Sequence, residues 1–453
     1  MSFFRLDRSG KFPFSIILAV AGLVRLLAFF ASDRPLSGDA LAYDHLGWSL
    51  AQGYGLRNIH GDLTAFFPPG YPIFLAVIYY LAGHSIGVVK LIQLVIGIYT
   101  CLIWYQIAKR LVSIQAATIF GLLLALYPGM IYGQESFYTE HLFLFLFALS
   151  SLFFLTICQS STILSFAALG VLFGCCVYVR PAIVLFPLFI LLHLLFFSRS
   201  NTTGEKRTMS QRLTENKRWM YQGMAFGLGC CLVATPWIIR NAKLFNAFIP
   251  LSTHSGMTLY SAHFPPDGYR LGLLAHDEVV QAAALLSTEV DRDRFLTAET
   301  FHRLYHNPRQ LSAAMAMKVA FLFSPIDWEV IYFSRASGLN WFYLALLPFF
   351  GIGVKRVWKQ RSSLASMTTT LLPLSYMVII SLIYYGSPRM RFAFEPSYFL
   401  VSTTGLVDRS AVTGRSRAAI VIYAGILLIL AFCSNQFKQL LKLAVSSLFS
   451  GHF

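Results

Sequence analysis

The chain has 453 residues, of which 56% are apolar or aromatic and only 12% are charged, against about 25% charged in an ordinary soluble domain. With a mean hydropathy of +0.62, this composition excludes a soluble globular protein and predicts a polytopic membrane protein. The net charge of +16 is typical of Lys and Arg held in cytoplasmic loops, so we expect membrane lipid and no nucleic acid as the partner of these charges.

Long apolar runs predict an all-α fold with about eleven transmembrane helices, since a helix needs about 20 residues to cross about 30 Å of hydrocarbon. The first run, Pro13 to Ala31, follows three basic residues and is long for a signal-peptide core, so we expect a retained span that enters from the cytoplasm. The candidate spans are residues 13–31, 86–108, 114–133, 141–157, 162–179, 181–197, 219–238, 340–354, 364–385, 393–407 and 418–434. We treat residues 1–453 as one membrane-embedded domain that ends in the segment 408–453.

One apolar segment, Phe66 to Gly83, is predicted not to cross. It opens with Phe-Pro-Pro-Gly-Tyr-Pro, which cannot propagate a helix, so a helix is expected to start only near Pro72 and to be too short for a bilayer. We expect this segment to lie along the outer membrane surface.

The basic residues support this topology because they then cluster in the cytoplasmic loops. These clusters lie at residues 5–11, 109–110, 199–218, 355–361 and 409–417. Two large loops, 32–85 and 239–339, are left on the outer face, and chemistry is expected there. The second loop contains a helix-patterned stretch at 276–305 and an apolar stretch at 311–324, interrupted by Lys318, that we interpret as interfacial.

Carboxylates in these outer segments are candidates for catalysis. Asp39 and Tyr43 are one helical turn apart near the start of an amphipathic helix. Asp39 could act as a helix cap or as the general base that accepts a proton from an acceptor hydroxyl. Glu135 and Glu140 follow the third span, where they could cap the next helix or hold a divalent metal or a substrate.

Four arginines lie at predicted outer ends of spans: Arg180, Arg240, Arg389 and Arg391. They could reach lipid phosphates, or converge on a phosphate of the substrate. We assign these arginines to substrate binding, with Tyr43 and Asn241. Arg25, in the middle of the first span, is expected to face the protein interior.

The order of these motifs resembles the bacterial C-fold glycosyltransferases, and within them the branch of protein O-mannosyltransferases and the lipid A aminoarabinose transferase. The motifs are Asp39-x-x-x-Tyr43, Pro68-Pro-Gly-Tyr-Pro72, Tyr132-x-x-Glu135 at the entry to the fourth span, Arg180-Pro181, Pro236-Trp-x-x-Arg-Asn241, Pro250-Leu-Ser and Arg389-x-Arg-x-x-x-Glu-Pro396. The resemblance covers about residues 13–407.

This resemblance implies inverting transfer of a sugar from a polyprenyl-phosphate donor to a lipid, polymer or protein acceptor on the outer face. It implies Asp39 as the catalytic carboxylate, Glu140 as the second acidic position and Arg240 and Arg391 as contacts of the donor phosphate. Protein mannosyltransferases usually carry Asp-Glu in the first loop, whereas Ala40 follows Asp39 here, which favours members that act on other acceptors.

We therefore predict an enzyme of the inner (plasma) membrane whose active site faces the periplasm or exterior. No organic cofactor is implied, and a divalent metal ion at Glu140 stays an alternative. Two alternatives stay open. One is a transporter or flippase for a lipid-linked saccharide, and the other is a ligase that joins whole saccharide chains. The scarcity of charge within the spans favours the enzyme over the transporter.

Overall fold

The computed structural model describes residues 11–31, 35–133, 137–157, 162–197, 209–264, 277–323, 340–359 and 364–407. Within these residues the secondary structure is helical, apart from one isolated antiparallel bridge between Arg57 and Leu63. The predicted all-α fold is confirmed. The predicted span at 418–434 and the candidate carboxylate Glu135 lie outside the described residues.

The chain forms two compact units. The first comprises residues 1–253 and 357–376, and the second comprises residues 254–356 and 377–453. Helices of the first unit are α1 (Lys11–Ala31), α2 (Asp39–Ala51), α3 (Gly70–Ala82), α4 (Ile86–Leu111), α5 (Ile114–Leu126), α6 (Pro128–Tyr132), α7 (Thr139–Ile157), α8 (Ile163–Val179), α9 (Phe186–Phe197) and α10 (Met209–Phe245).

The remaining helices are α11 (Ser255–His263), α12 (Glu278–Ala284), α13 (Glu289–His306), α14 (Pro308–Leu322), α15 (Trp341–Lys359), α16 (Leu364–Thr369), α17 (Leu371–Ile383), α18 (Pro388–Phe392) and α19 (Glu395–Val407). Of these, α16 belongs to the first unit, the boundary passes through α15 and α17, and the others belong to the second unit.

Four described helical segments are long and apolar enough to cross a membrane: Phe12–Ala31, Ile86–Leu111, Thr139–Ile157 and Trp219–Phe245. Shorter apolar helices include α3, α5, α8 and α17. Every predicted span that falls on described residues contains helix. The chain is thus a multi-pass membrane protein.

Prolines and tight turns make the helices less continuous than the sequence predicted. The expected span 114–133 is interrupted at Tyr127, because Pro128 has no N–H for a continuing helix, and α6 starts anew at Pro128. The expected span 364–385 is interrupted at Thr370. Helix α3 begins at Gly70, earlier than the predicted start near Pro72, because a proline is tolerated in the first turn of a helix.

Two helix pairs approach closely through glycines. In α8, Gly170 and Gly174 face α10, and a Cβ added at Gly170 would lie 2.9 Å from the carbonyl carbon of Phe226. In the second unit, Gly353 of α15 lies against the backbone of Val401 in α19. Small residues one turn apart allow such contact between membrane helices, where dispersion and close fit replace the hydrophobic effect.

We predict that Gly170→Ala destabilises the protein by about 1–3 kcal/mol, because the new methyl group has no room against α10. Gly227→Ala in α10 is the matched control, since a Cβ there would meet nothing within 4 Å. Alanine at this helical position should leave stability unchanged or raise it by up to about 1 kcal/mol. Thermal unfolding in detergent measures both variants, and equal melting temperatures would contradict the close approach of α8 and α10.

Candidate functional site

A buried ion pair joins the start of α7 to the end of α8. Nη1 of Arg180 lies 2.8 Å from Oε1 of Glu140, and the Glu140 side chain is fully buried. The hydroxyl of Thr139 donates to Oε2 of Glu140 at 3.3 Å. Arg180 leaves α8 in an extended conformation, as expected for the residue before Pro181. The structure thus brings together two of the predicted site residues.

The first-loop motif reaches the same region through aromatic contacts. The Tyr43 ring is buried in α2, at 4.7 Å from the ring of Phe67 and edge-on at 5.2 Å to the ring of Tyr71. The Tyr71 hydroxyl donates to Oε1 of Gln93 at 2.7 Å, and Tyr71 lies within electrostatic reach of Glu140. Tyr43 is therefore part of the wall of this region and has little surface left for a ligand.

Asp39 is the first residue of α2 and is half-buried. Gly38 occupies the N-cap position with φ +57°, a conformation that favours glycine. The carboxylate of Asp39 therefore lies in the first turn, where it interacts favourably with the helix dipole, while the capping position itself belongs to Gly38.

Three side chains donate hydrogen bonds to three consecutive carbonyls of the segment 249–251, which follows α10. Nδ2 of Asn241 donates to Ile249 O at 3.0 Å, the Tyr178 hydroxyl to Pro250 O at 2.7 Å and Nε1 of Trp237 to Leu251 O at 2.8 Å. We call this set the carbonyl clamp. Asn241, predicted to bind substrate, is fully buried within it.

The clamp also fixes Arg240. The Arg240 guanidinium lies 4.7 Å from the Trp237 ring centroid, and its Nη1 donates to Oδ1 of Asn241 at 2.8 Å. Both partners are held by the clamp, so the half-buried guanidinium has a defined direction. The segment continues to Thr253, whose N–H donates to Ala65 O at 3.0 Å and joins it to the first loop.

The described residues of this region do not form a metal site. The carboxylate of Glu140 is engaged by Arg180. Within the described ranges, no group of three or more His, Cys, Asp or Glu side chains is placed to hold a metal. A guanidinium in contact with the carboxylate supplies the positive charge that a divalent ion would bring.

The other predicted arginines belong to the second unit. Nε of Arg391 lies 2.9 Å from Oε1 of Glu395, its Nη1 donates to Leu322 O at 2.9 Å, and its guanidinium lies over the Tyr343 ring at 4.2 Å. Arg391 and Glu395 are both buried. Arg389 is half-buried in α18. Arg391 thus has an internal role in holding α18 to α14 and α15.

A polar cluster between α2 and α3 was not predicted from the sequence. Nε2 of His84 lies 3.0 Å from Oδ1 of Asp44, and the Tyr79 hydroxyl donates to the same oxygen. The His84 ring stacks on Trp48 at 4.9 Å. The partners are 35 and 40 residues apart in sequence, so no spacing rule could have paired them.

A second unexpected group lies in the second unit. Lys318, predicted to interrupt an interfacial stretch, is fully buried in α14. Its Nζ lies 2.9 Å from Nε2 of His263 and 3.0 Å from Leu382 O. Nδ1 of His263 lies 2.9 Å from Leu259 O, which requires the proton on Nδ1 and leaves Nε2 as the acceptor. Burial lowers the pKa of Lys318 to about 7.

Comparisons with known proteins support the resemblance inferred from the motifs. Residues 67–237 match the family model described as dolichyl-phosphate-mannose-protein mannosyltransferase. This range contains the Pro68–Pro72 segment, Glu140, Arg180 and Trp237, whereas Asp39, Arg240 and Arg391 lie outside it. The predicted resemblance is therefore confirmed for the part of the chain that holds the Glu140–Arg180 ion pair.

No curated protein matches the chain. Among solved structures, ArnT from Cupriavidus metallidurans bound to undecaprenyl phosphate is similar, with 13% identity and a TM-score of 0.41 over 86% of this chain and 76% of that chain. ArnT from the same organism in the apo state gives 15% identity and a TM-score of 0.38 over 88% of this chain and 77% of that chain.

The buried lysine generates a pH prediction. A lysine in an unfolded chain has a pKa of about 10.4. Burial lowers the pKa of Lys318 to about 7 in the folded protein. The unfolded chain therefore binds more protons between these values, and this residue makes stability rise with pH across that window. We expect the melting temperature of the wild type, measured from pH 7 to 10, to rise more steeply than that of Lys318→Met.

Lys355→Met is the control, since Lys355 is an exposed lysine of the same unit. Its melting curve should follow the wild type at each pH. If the melting temperatures of the wild type and Lys318→Met change in parallel with pH, the pKa of Lys318 is not lowered by folding.

Proposed function

We propose that the chain is a membrane glycosyltransferase that transfers a sugar from a polyprenyl-phosphate donor to an acceptor on the outer face of the inner membrane. The observation that carries the proposal is the match of residues 67–237 to a mannosyltransferase family model. That range contains the buried Glu140–Arg180 pair. The acceptor is a lipid, a polymer or a protein.

The chemistry needs two groups. A sugar linked to a lipid through one phosphate already carries a competent leaving group, so the enzyme needs a base for the acceptor hydroxyl and cations for the departing phosphate. The acceptor oxygen attacks the anomeric carbon, the bond from that carbon to the phosphate oxygen breaks, and the configuration inverts. The acceptor proton passes to the base, and polyprenyl phosphate leaves.

Asp39 is the proposed base. It is a half-buried carboxylate in the first turn of α2, and Tyr43, one turn further on, anchors that helix against Phe67 and Tyr71. A rigid helix start gives the carboxylate a fixed position relative to the Glu140 region. Such positioning is what proton transfer requires.

Arg240 is the proposed contact of the donor phosphate in the first unit. Its guanidinium is half-buried and already oriented by Trp237 and Asn241, which reduces the entropy lost when a phosphate binds. A planar guanidinium can donate two parallel hydrogen bonds to phosphoryl oxygens. Arg180, by contrast, neutralises Glu140 and would act on a phosphate only at the expense of that pair.

The described contacts favour an enzyme over a transporter. Arg25, the charge that a polar pathway through the first span would use, is fully buried and donates to backbone carbonyls of neighbouring helices. Hydrogen bonds of this kind to backbone carbonyls are typical of a structural residue. A ligase that joins saccharide chains would share the proposed geometry, and the assay below distinguishes it by the donor that it uses.

We predict that purified wild-type protein transfers sugar from polyprenyl-phosphate donors and not from nucleotide sugars, and that Asp39→Asn abolishes this turnover without loss of fold. Removal of a general base lowers the rate by about 10² to 10⁴. Asp62→Asn is the matched control, because Asp62 is an exposed carboxylate of the same loop. Transfer and melting temperature are measured together for each variant.

In the same assay Arg240→Ala should weaken binding of the lipid donor by roughly ten- to a hundred-fold, because charge-assisted hydrogen bonds contribute about 1.5–3 kcal/mol, and Arg240→Lys should restore part of it. Transfer from a nucleotide sugar would overturn the proposed donor, and transfer from a diphosphate-linked saccharide would favour the ligase. Full turnover by Asp39→Asn would show that Asp39 is not the base and serves only at the start of α2.

A further inference from the structure

Arg25 is a cation in the middle of α1, and its side chain is fully buried. Its Nη1 donates to Ala125 O at 3.1 Å and to Ala21 O at 3.4 Å. Its Nη2 lies 3.2 Å from Sγ of Cys101 and 3.5 Å from Met130 O. These acceptors come from four stretches of the chain and are all neutral, so the guanidinium serves to organise backbone.

Arg25 binds the backbone at the interruption between α5 and α6. Tyr127 leaves the helix in an extended conformation, with ψ 117°, and Pro128 has no N–H. In a continuous helix the carbonyl of Ala125 would accept from the N–H of Gly129, and at this interruption Arg25 supplies the hydrogen instead. Irregular backbone at membrane depth persists only where the protein satisfies its polar groups.

Along the chain, α6 is followed by the first turn of α7, which contains Glu140. His141 in this turn is buried and lies within electrostatic reach of Arg25. The residue before His141 is Glu140, whose carboxylate contacts Arg180. Arg25 thus contacts α6 directly and acts electrostatically on the first turn of α7.

We infer that Arg25 is a positioning residue that holds α6 in place and thereby sets the position of the Glu140–Arg180 pair. The inference rests on the proposed function, since the pair lies in the region assigned to sugar transfer. Arg25 acts through α6 and His141 and touches no substrate. Its fork, with two nitrogens directed to different carbonyls, is the property that a lysine lacks.

Turnover of wild type, Arg25→Met, Arg25→Lys and Arg110→Gln with a polyprenyl-phosphate sugar tests the inference. A shift of about 1 Å at an active site costs up to about 10²-fold in rate, so Arg25→Met should lower kcat by at least about tenfold with an unchanged KM for the lipid donor. Arg25→Lys should lie between Arg25→Met and wild type. Arg110→Gln is the control, since Arg110 is an exposed arginine that donates to Thr156 near the other end of α7, and it should retain wild-type kcat.

Hydrogen exchange of the same proteins provides a readout that does not depend on activity. Amides of residues 126–133 and 137–142 should exchange at least about tenfold faster in Arg25→Lys than in wild type, with α12 and α13 unchanged. Arg25→Lys also keeps the test valid if Arg25→Met does not fold.

Wild-type kcat in Arg25→Lys together with unaltered exchange at these segments would overturn the inference. Inactive wild-type protein would instead overturn the proposed function, and the exchange result would still decide whether Arg25 holds α6.

Discussion

The interaction on which the first unit depends is the buried ion pair between Glu140 and Arg180. A carboxylate that has lost all contact with solvent is tolerated only beside a cation and hydrogen-bond donors, because a lone buried charge is far more costly than a pair. The pair therefore fixes the start of α7 against the end of α8. Glycines in α8 then allow α10 to approach, which brings the Trp237 to Asn241 motif to the same helix ends.

Around this pair, most motif residues hold one another and few are left to bind a ligand. The carbonyl clamp uses Tyr178, Trp237 and Asn241 to fix the segment 249–251. As a result Arg240 is presented in one orientation beside a rigid wall. In the sequence, these motif residues look like substrate contacts. In the structure, most of them support Arg240 and Glu140.

The sequence was sufficient for the fold class and for the helices, since hydropathy over 20 residues depends on local composition alone. It was also sufficient to single out Glu140 and Arg180, but not to pair them, because the contact joins residues 40 positions apart. The partners of Arg25, the His84–Asp44 contact and the burial of Lys318 were missed for the same reason. The interruption at Pro128 can be predicted from the proline, although the long apolar run favours one continuous span.

The central claim, that Glu140 and Arg180 act as one unit, is tested most directly by a double-mutant cycle on unfolding free energy in detergent, with Glu140→Gln, Arg180→Gln and the double variant. Each single substitution should cost about 3–5 kcal/mol, because it leaves the other charge buried and unbalanced. The double variant should cost at least about 2 kcal/mol less than the sum of the two, since it removes both charges together. If the cost of the double variant equals the sum of the two single costs to within about 0.5 kcal/mol, the two residues do not act as one unit.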